Sequence, residues 1–246
     1  MQDRASARSL SVQGLACALA AAVFMCGTVL ADTPLIPHTA VYKVRISILS
    51  GQLKTKLDAT DAGYVATHVI KPTGLSKMFA RGVIIETSEF ALAADGLRPD
   101  KYRSEDTLSR HKKKTSIRFD WDEGEARGTV NGDDVVAVLD QLAHDRVSIQ
   151  YQLMHDLLNE GPREQYLLFD VDRPKLLTVT NIGKKIVTVP AGEFEAIGIQ
   201  HQAANSLRIT TLWCVEALGY LPVIIEQHRK GKLRVRASLQ TYLPAQ

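Results

Sequence analysis

Apolar and polar residues alternate with a period of two along most of the chain, the spacing of strands with one buried and one wetted face. Tyr42, Val44, Ile46 and Ile48 alternate with Lys43, Arg45 and Ser47. Beyond Gly51, Leu53, Thr55, Leu57 and Ala59 alternate with Lys54, Lys56 and Asp58, and Gly63 opens a third run from Tyr64 to Ile70. These three pieces predict an antiparallel meander. Pro72-Thr73-Gly74 interrupts it, and Leu75 to Ala80 reads as a helical turn or a loop. Val83 to Ile85 restarts a strand, Asp95-Gly96 and Pro99 mark a turn, and Tyr102 to Thr107 reads as the next strand. Ile117, Phe119 and Trp121 alternate with Arg118, Asp120 and Asp122, the clearest strand signal in the middle of the chain. Gly124 turns it back into Ala126 to Val130, and Asn131-Gly132 is a hairpin signal before Val135 to Leu139.

One segment changes period. Over residues 146–160, Val147, Tyr151, Met154 and Leu158 fall on one stripe with Leu153 and Leu157 beside it, which predicts an amphipathic helix. Asp145 is its expected N-cap and Gly161, followed by Pro162, its expected C-terminal stop. Strands then resume near 166–171, 176–182, 185–189, 194–202, 208–215, 223–228 and 233–242. Strands, one helix, then strands is not the order of a doubly wound α/β fold. It predicts a mainly-β class: a large curved antiparallel sheet, an open or closed barrel-like structure, with the helix plugging or flanking its concave face.

The N-terminus changes the picture by setting a compartment. Arg4 and Arg8 precede an uncharged run from Gly14 to Val23, and Val29-Leu30-Ala31 offers small residues before Asp32. This is the pattern of a cleavable secretory signal over residues 1–31, leaving a single domain over 32–246 in the periplasm. The competing readings are an uncleaved anchor over 14–31, and lipidation at Cys26, which Met25 disfavours. No twin-arginine pair precedes the run, so general secretion is the expected route. No later segment is apolar enough to cross a membrane as a helix, so no stable transmembrane segment is expected after cleavage. Cleavage removes Cys17 and Cys26, and the remaining Cys214 cannot form an internal disulfide. The mature charge is near balance, which together with secretion argues against nucleic acid as a partner.

Catalytic motifs are missing. The sequence has no Gly-x-Ser-x-Gly elbow, no His-Glu-x-x-His, no Cys-x-x-Cys and no phosphate-cradling glycine loop. Asp120, Asp122, Glu123 and Glu125 around Gly124 lack the full pattern of a calcium loop and fit a polar hairpin tip. The seven histidines show no metal-ligand spacing, and each reads as a surface or half-buried side chain. The run Arg110-His111-Lys112-Lys113-Lys114 has the composition to meet anionic head groups, but between two strands it reads first as a solvated hairpin end. Cys214 falls on the strand face opposite Ile209, Thr211 and Trp213 and reads as a packed thiol. No catalytic residue, cofactor or metal ligand is assigned on these grounds.

The C-terminal run from Arg208 to Val223, with Trp213, Leu218-Gly219-Tyr220 and Pro222, resembles the closing motif of the DUF3108 family of bacterial envelope proteins. Further matches to that layout are Tyr42-Lys43-Val44, then Asp95-Gly96-Leu97-Arg98-Pro99 with Tyr102 and Phe119-Asp120-Trp121, and then Val189 to Ala196. The resemblance implies a β-rich periplasmic domain and carries no catalytic residues. A similar strand-turn-strand ending occurs in periplasmic lipoprotein carriers with half-barrel sheets, a likeness of architecture only. Trp213, Gly219, Tyr220, Pro222 and Trp121 are the candidate ligand or structural motif. The expected function is a non-catalytic envelope protein holding an apolar or amphipathic ligand, such as a lipid, on its curved sheet. The alternatives are an assembly or structural factor that binds another envelope protein, and a hydrolase acting on envelope material.

Overall fold

The alternating segments become the strands of one continuous sheet. The computed structural model describes residues 32–170 and 173–245; the secretory signal read over 1–31 lies outside the described residues. The first half carries β1 (His38–Ile46), β2 (Leu49–Thr60), β3 (Gly63–Pro72), β4 (Ile84–Ala93), β5 (Gly96–Asp106), β6 (Lys113–Asp120), β7 (Glu125–Val130) and β8 (Asp133–Val138). A two-residue strand, β9 (Ala143–His144), leads into the helix α1 (Ser148–Asn159). The second half carries β10 (Gln165–Asp170), β11 (Arg173–Val189), β12 (Gly192–Ala203), β13 (Arg208–Val215), β14 (Leu221–Arg229) and β15 (Lys232–Pro244).

The sheet order is β8-β7-β6-β5-β4-β3-β2-β1-β15-β14-β13-β12-β11-β10-β9. Neighbours are antiparallel except β9, which runs parallel to β10. β1 and β15 pair from His38↔Pro244 to Ile46↔Val235 and so join two wings in the middle. The sheet is barrel-like but not closed. Instead of pairing with β8, the β9 end lies against β5, and Phe119 meets Phe169 edge to face at 5.7 Å across the seam.

One face of every strand points inward, toward α1. Tyr42, Leu57, Ala66, Phe90, Tyr102 and Ile117 from one wing and Val223 and Leu239 from the other share a core with Tyr151 and Met154 of the helix. A second cluster sets Leu153 and Leu157 against Ile199, Leu212 and Cys214. The helix is therefore packed on two sides, and small inward residues (Ala40, Ala66, Ser88) leave room for it. Asp145 caps it as expected. Its carboxylate accepts the amides of Val147 at 2.8 Å and Ser148 at 2.9 Å, although the helix itself begins only at Ser148. Gly161 ends it at φ +90°, donating to the Asp156 carbonyl at 2.6 Å.

Outward positions of β1, β2, β5 and β6 include the charged Lys43, Lys54, Lys56, Arg103 and Arg118, all exposed. A membrane-spanning barrel would turn an apolar band outward at these places. Among the described residues, no helix is long and apolar enough to cross a membrane.

Several local expectations change. Pro99 lies inside β5, not in the turn, which is Ala94-Asp95; a register shift at Glu89/Phe90 accommodates it. The two segments expected at 176–182 and 185–189 are one strand, β11, interrupted by a bulge between Asn181 and Lys184. The histidines expected at or near the surface divide: His38, His68, His144 and His155 are buried, because long-range pairing folds their strands and helix inward. Cys214 is buried opposite Trp213, and burial pushes its thiol far up, as an unreactive cysteine requires.

Candidate functional site: a half-open cup with a cationic rim

Burial along the inward positions is graded, and the gradient has one direction. On β1, Ala40, Tyr42 and Val44 are buried, but Ile46 is exposed. On β15, Leu239 and Ala237 are buried, Val235 is half-buried and Leu233 exposed. On β2, Leu57 and Thr55 are buried, Leu53 half-buried and Leu49 exposed; on β3, Ala66 and His68 are buried and Ile70 half-buried. The register aligns these series, because Ile46 pairs with Val235 and Leu49, and Leu53 with Ile70. The concave face is thus filled at one end and opens at the other into a cup walled by Val44, Ile46, Leu53, Ile70, Ile225 and Val235.

The helix causes the asymmetry. Its C-terminal half lies at the filled end, where Gln152 Oε1 accepts the Leu97 amide at 2.6 Å and Arg163 donates to the Asp95 carbonyl at 2.9 Å. Asp156 gathers Gln152 at 2.6 Å, the Tyr166 hydroxyl at 2.7 Å and Arg163 at 3.1 Å. Burial pushes the Asp156 carboxyl up, but His155, Tyr166, the Arg163 charge and Gln152 together hold it below the usual range. The helix N-terminus reaches the middle of the barrel, where Ser88 Oγ donates to Asp145 at 2.5 Å.

Polar side chains are also buried beside α1. The Tyr151 hydroxyl lies 3.4 Å from His68 Nε2, and the Tyr102 hydroxyl donates to Glu86 at 2.6 Å. His38 lies against Tyr151 and Tyr242, with ring centroids 6.3 and 5.6 Å apart, and its buried Nε2 has no hydrogen-bond partner among the described residues. Burial, with the His38 charge adding to it, lowers the His68 pKa to about 4. His68 is therefore uncharged at neutral pH.

The turns of the meander alternate between the two ends, and their charge differs by end. At the open end, the β1–β2 turn and the segment between β3 and β4 bring Arg45, Lys71, Lys77 and Arg81. The β5–β6 turn brings Arg110, Lys112, Lys113 and Lys114, all exposed. The start of β13 and the β14–β15 turn bring Arg208, Arg229, Lys230, Lys232 and Arg234. The acids at this end include Glu105, Asp106, Asp133, Asp134 and Asp170; Asp106 is occupied by the Leu108 and Ser109 amides at 2.9 and 2.8 Å, and Asp170 by Arg146 at 2.7 Å and by Lys175. At the filled end the balance reverses, with Asp58, Asp61, Asp95, Asp120, Asp122, Glu123, Asp140, Glu193 and Glu216 at or beside the turns. A cleft of about 520 Å³ opens at the cationic end, lined by Arg208, Gln227, Arg229, Lys230, Arg234 and Val235.

The five residues singled out in the sequence are not at this mouth. Trp121 sits at the β6–β7 turn, where its indole donates to the Pro99 carbonyl at 2.7 Å and Arg98 covers its ring at 5.3 Å. Gly219 and Tyr220 adopt left-handed φ values of 64° and 58° in the β13–β14 turn. Pro222 pairs with Cys214 beside a bulge. Trp213 is packed on the outer side with Lys185 Nζ 3.7 Å from its ring centroid, bordering a shallow groove of about 310 Å³ with Ile182, Ile209 and Thr211. Gly198 makes that packing fit: a Cβ there would lie 2.7 Å from the Trp213 ring. The motif therefore holds the filled end and the outer surface together. The wall residues of the cup were legible as apolar alternation, but nothing local marks where along a strand the filling stops.

The fold and the site define a class: a barrel-like antiparallel sheet wound around one helix, with an apolar cup opening at a basic end. The sequence profile of the DUF3108 family, proteins of unknown function, matches residues 39–235, and the chain belongs to that family. Among solved structures, a β-barrel-like protein of the domain of unknown function DUF1849 from Brucella abortus superposes with a TM-score of 0.58. It is 13% identical, with 87% of this chain and 99% of that chain covered, a likeness of fold. Among curated proteins, none matches this sequence.

Proposed function

We propose that this protein is a non-catalytic binding protein of the bacterial envelope that holds an anionic amphipathic molecule in the cup. The observation that carries this reading is the graded opening of an apolar inner wall toward a cationic rim. An acyl chain lies against Val44, Ile46, Leu53, Ile70 and Val235, and an anionic head meets Arg208, Arg229 and Arg234. Apolar walls with a few charged groups at one end are the usual composition of a small-molecule site. The periplasmic location rests on the N-terminal secretory pattern, and the absence of recognised motifs favours holding over chemistry.

The direct test is a titration with a dansyl fatty acid, which carries an acyl chain and an anionic head. Saturable binding with a blue shift is expected. Val235→Asp, which sets a carboxylate in the wall, weakens it by about tenfold or more, the scale of one unfavourable charge in an apolar pocket. Trp121→Phe at the filled end leaves it unchanged. Titration without saturation, or equal binding by Val235→Asp, would overturn the reading.

A further inference from the structure

The rim also carries apolar residues that the cup does not use. Ile48 is 93% exposed, Phe79 80%, Leu75 78% and Met78 72%. Ile48 is the tip of the β1–β2 turn, and the other three lie on or next to the short helical turn Gly74–Met78. The two turns are tied together: the Thr73 amide donates to the Ser50 carbonyl at 3.0 Å, and the Ser50 amide to the Ser76 hydroxyl at 2.7 Å. The apolar tips are therefore presented on a fixed platform at one end of the barrel. Arg45, Lys71, Lys77 and Arg81 are exposed around them, and none has an ion-pair partner among the described residues. Large side chains this exposed, grouped and rimmed by charge mark an interaction surface.

We propose that this rim docks on the surface of an anionic phospholipid bilayer, with Ile48, Leu75, Met78 and Phe79 entering the head-group region. Charge complementarity selects this occupant. The cations of the β5–β6 and β14–β15 turns lie at the same end and extend the basic surface, while the opposite end is acidic and is repelled. A molecule with this polarity meets a negative surface end-on. The charged outer positions of β1, β2, β5 and β6 keep the barrel itself out of the hydrocarbon. Projecting apolar tips suit the soft interface of a bilayer. The proposal goes beyond the ligand reading and stands without it, although docking would set the cup's mouth on the membrane.

Residues 32–246, which carry the whole described fold, are tested by flotation with phosphatidylcholine vesicles with and without phosphatidylglycerol, at low and high salt. Binding is expected to the phosphatidylglycerol vesicles at low salt and to fall about tenfold or more at high salt, as surface charge pairing requires. Lys77→Glu with Arg81→Glu, and separately Ile48→Ser with Phe79→Ser, weaken it to a similar degree. All four positions are exposed, and an unchanged circular dichroism spectrum checks the fold. Val235→Asp keeps vesicle binding, which separates this proposal from the cup. No flotation with phosphatidylglycerol at low salt, equal flotation by both double variants, or a rim-mediated dimer in place of vesicle binding overturns it.

Discussion

Asp145 links the sequence to the interior more directly than any other residue. Its carboxylate accepts two amides at the start of α1 and the Ser88 hydroxyl from β4, so one side chain both caps the helix and ties it to the sheet. It is fully buried, and burial pushes its pKa up against the pull of those hydrogen bonds. Asp145→Ala leaves the donors unmet and is expected to cost about 2–4 kcal/mol in urea denaturation, the sum of a lost cap and a broken buried hydrogen bond. Asp145→Asn keeps an acceptor and recovers part of it; a loss below about 1 kcal/mol for the alanine variant would mean that the cap does not anchor the helix. The buried histidines give stability a pH dependence of known sign. His68 binds its proton near pH 4 in the fold, and burial lowers His144 to about 3, while both take it up near 6.5 in the unfolded chain. Protons therefore favour unfolding, and the stability these residues contribute is present above pH 6.5 and lost as pH falls toward 4. His68→Gln is expected to flatten that loss by up to about 3 kcal/mol between pH 7 and pH 4. Equal pH slopes for the two proteins in chemical denaturation would place the titration elsewhere.

At the scale of elements, alternation was enough to find nearly all the strands, because each has one wet face and the period survives any tertiary arrangement. β13 occupies 208–215, as its pattern predicts. The short β9 was not legible, since two residues cannot show a period. The fusion of two segments into β11 was not legible either, because the bulge at Asn181–Lys184 breaks the alternation without ending the strand. In the aromatic and glycine motif near the C-terminus, Trp213 and Tyr220 serve packing and turn geometry, whereas the graded opening of the inner wall depends on where α1 stops filling the barrel. That stopping point is set by contacts between distant segments, such as Leu97 with Gln152. Gly96 shows how tight the contact is. Its φ is +126°, and a Cβ there would lie 2.7 Å from Gln152 Oε1 and 2.9 Å from Arg163 Nη2. Gly96→Ala is expected to lower stability by about 2 kcal/mol or more through backbone strain and displacement of the helix. A near-ultraviolet circular dichroism spectrum and a urea midpoint equal to those of the wild type would show that the helix can shift at no cost.

For the whole molecule, chain order and sheet order differ by a single cyclic shift. Read from β9, the sheet runs β9 to β15 and then β1 to β8, so every neighbour is consecutive except at the join of β15 with β1. That one pairing brings together residues from opposite ends of the chain, Thr39 with Leu243 for example, and leaves the ends close enough for the Ala245 amide to donate to the Pro37 carbonyl at 2.8 Å. In the natural order the two wings must find each other across the longest loop the chain can make, and closing such loops slows folding. A permutant with its ends joined near Pro37 and Ala245 and opened between the exposed residues Asp140 and Gln141 turns the sheet into a sequence of local hairpins. It keeps every strand pairing, so its equilibrium stability is expected to stay within about 2 kcal/mol of the parent, while its refolding rate rises by about tenfold or more in stopped-flow measurements. The helix limits the gain, because its contacts with β4 and β5 become more distant in the new order. If the permutant refolds no faster than the parent, docking of the helix rather than closure of β1 on β15 is the slow step, and the filled end of the barrel is the last part of the molecule to form.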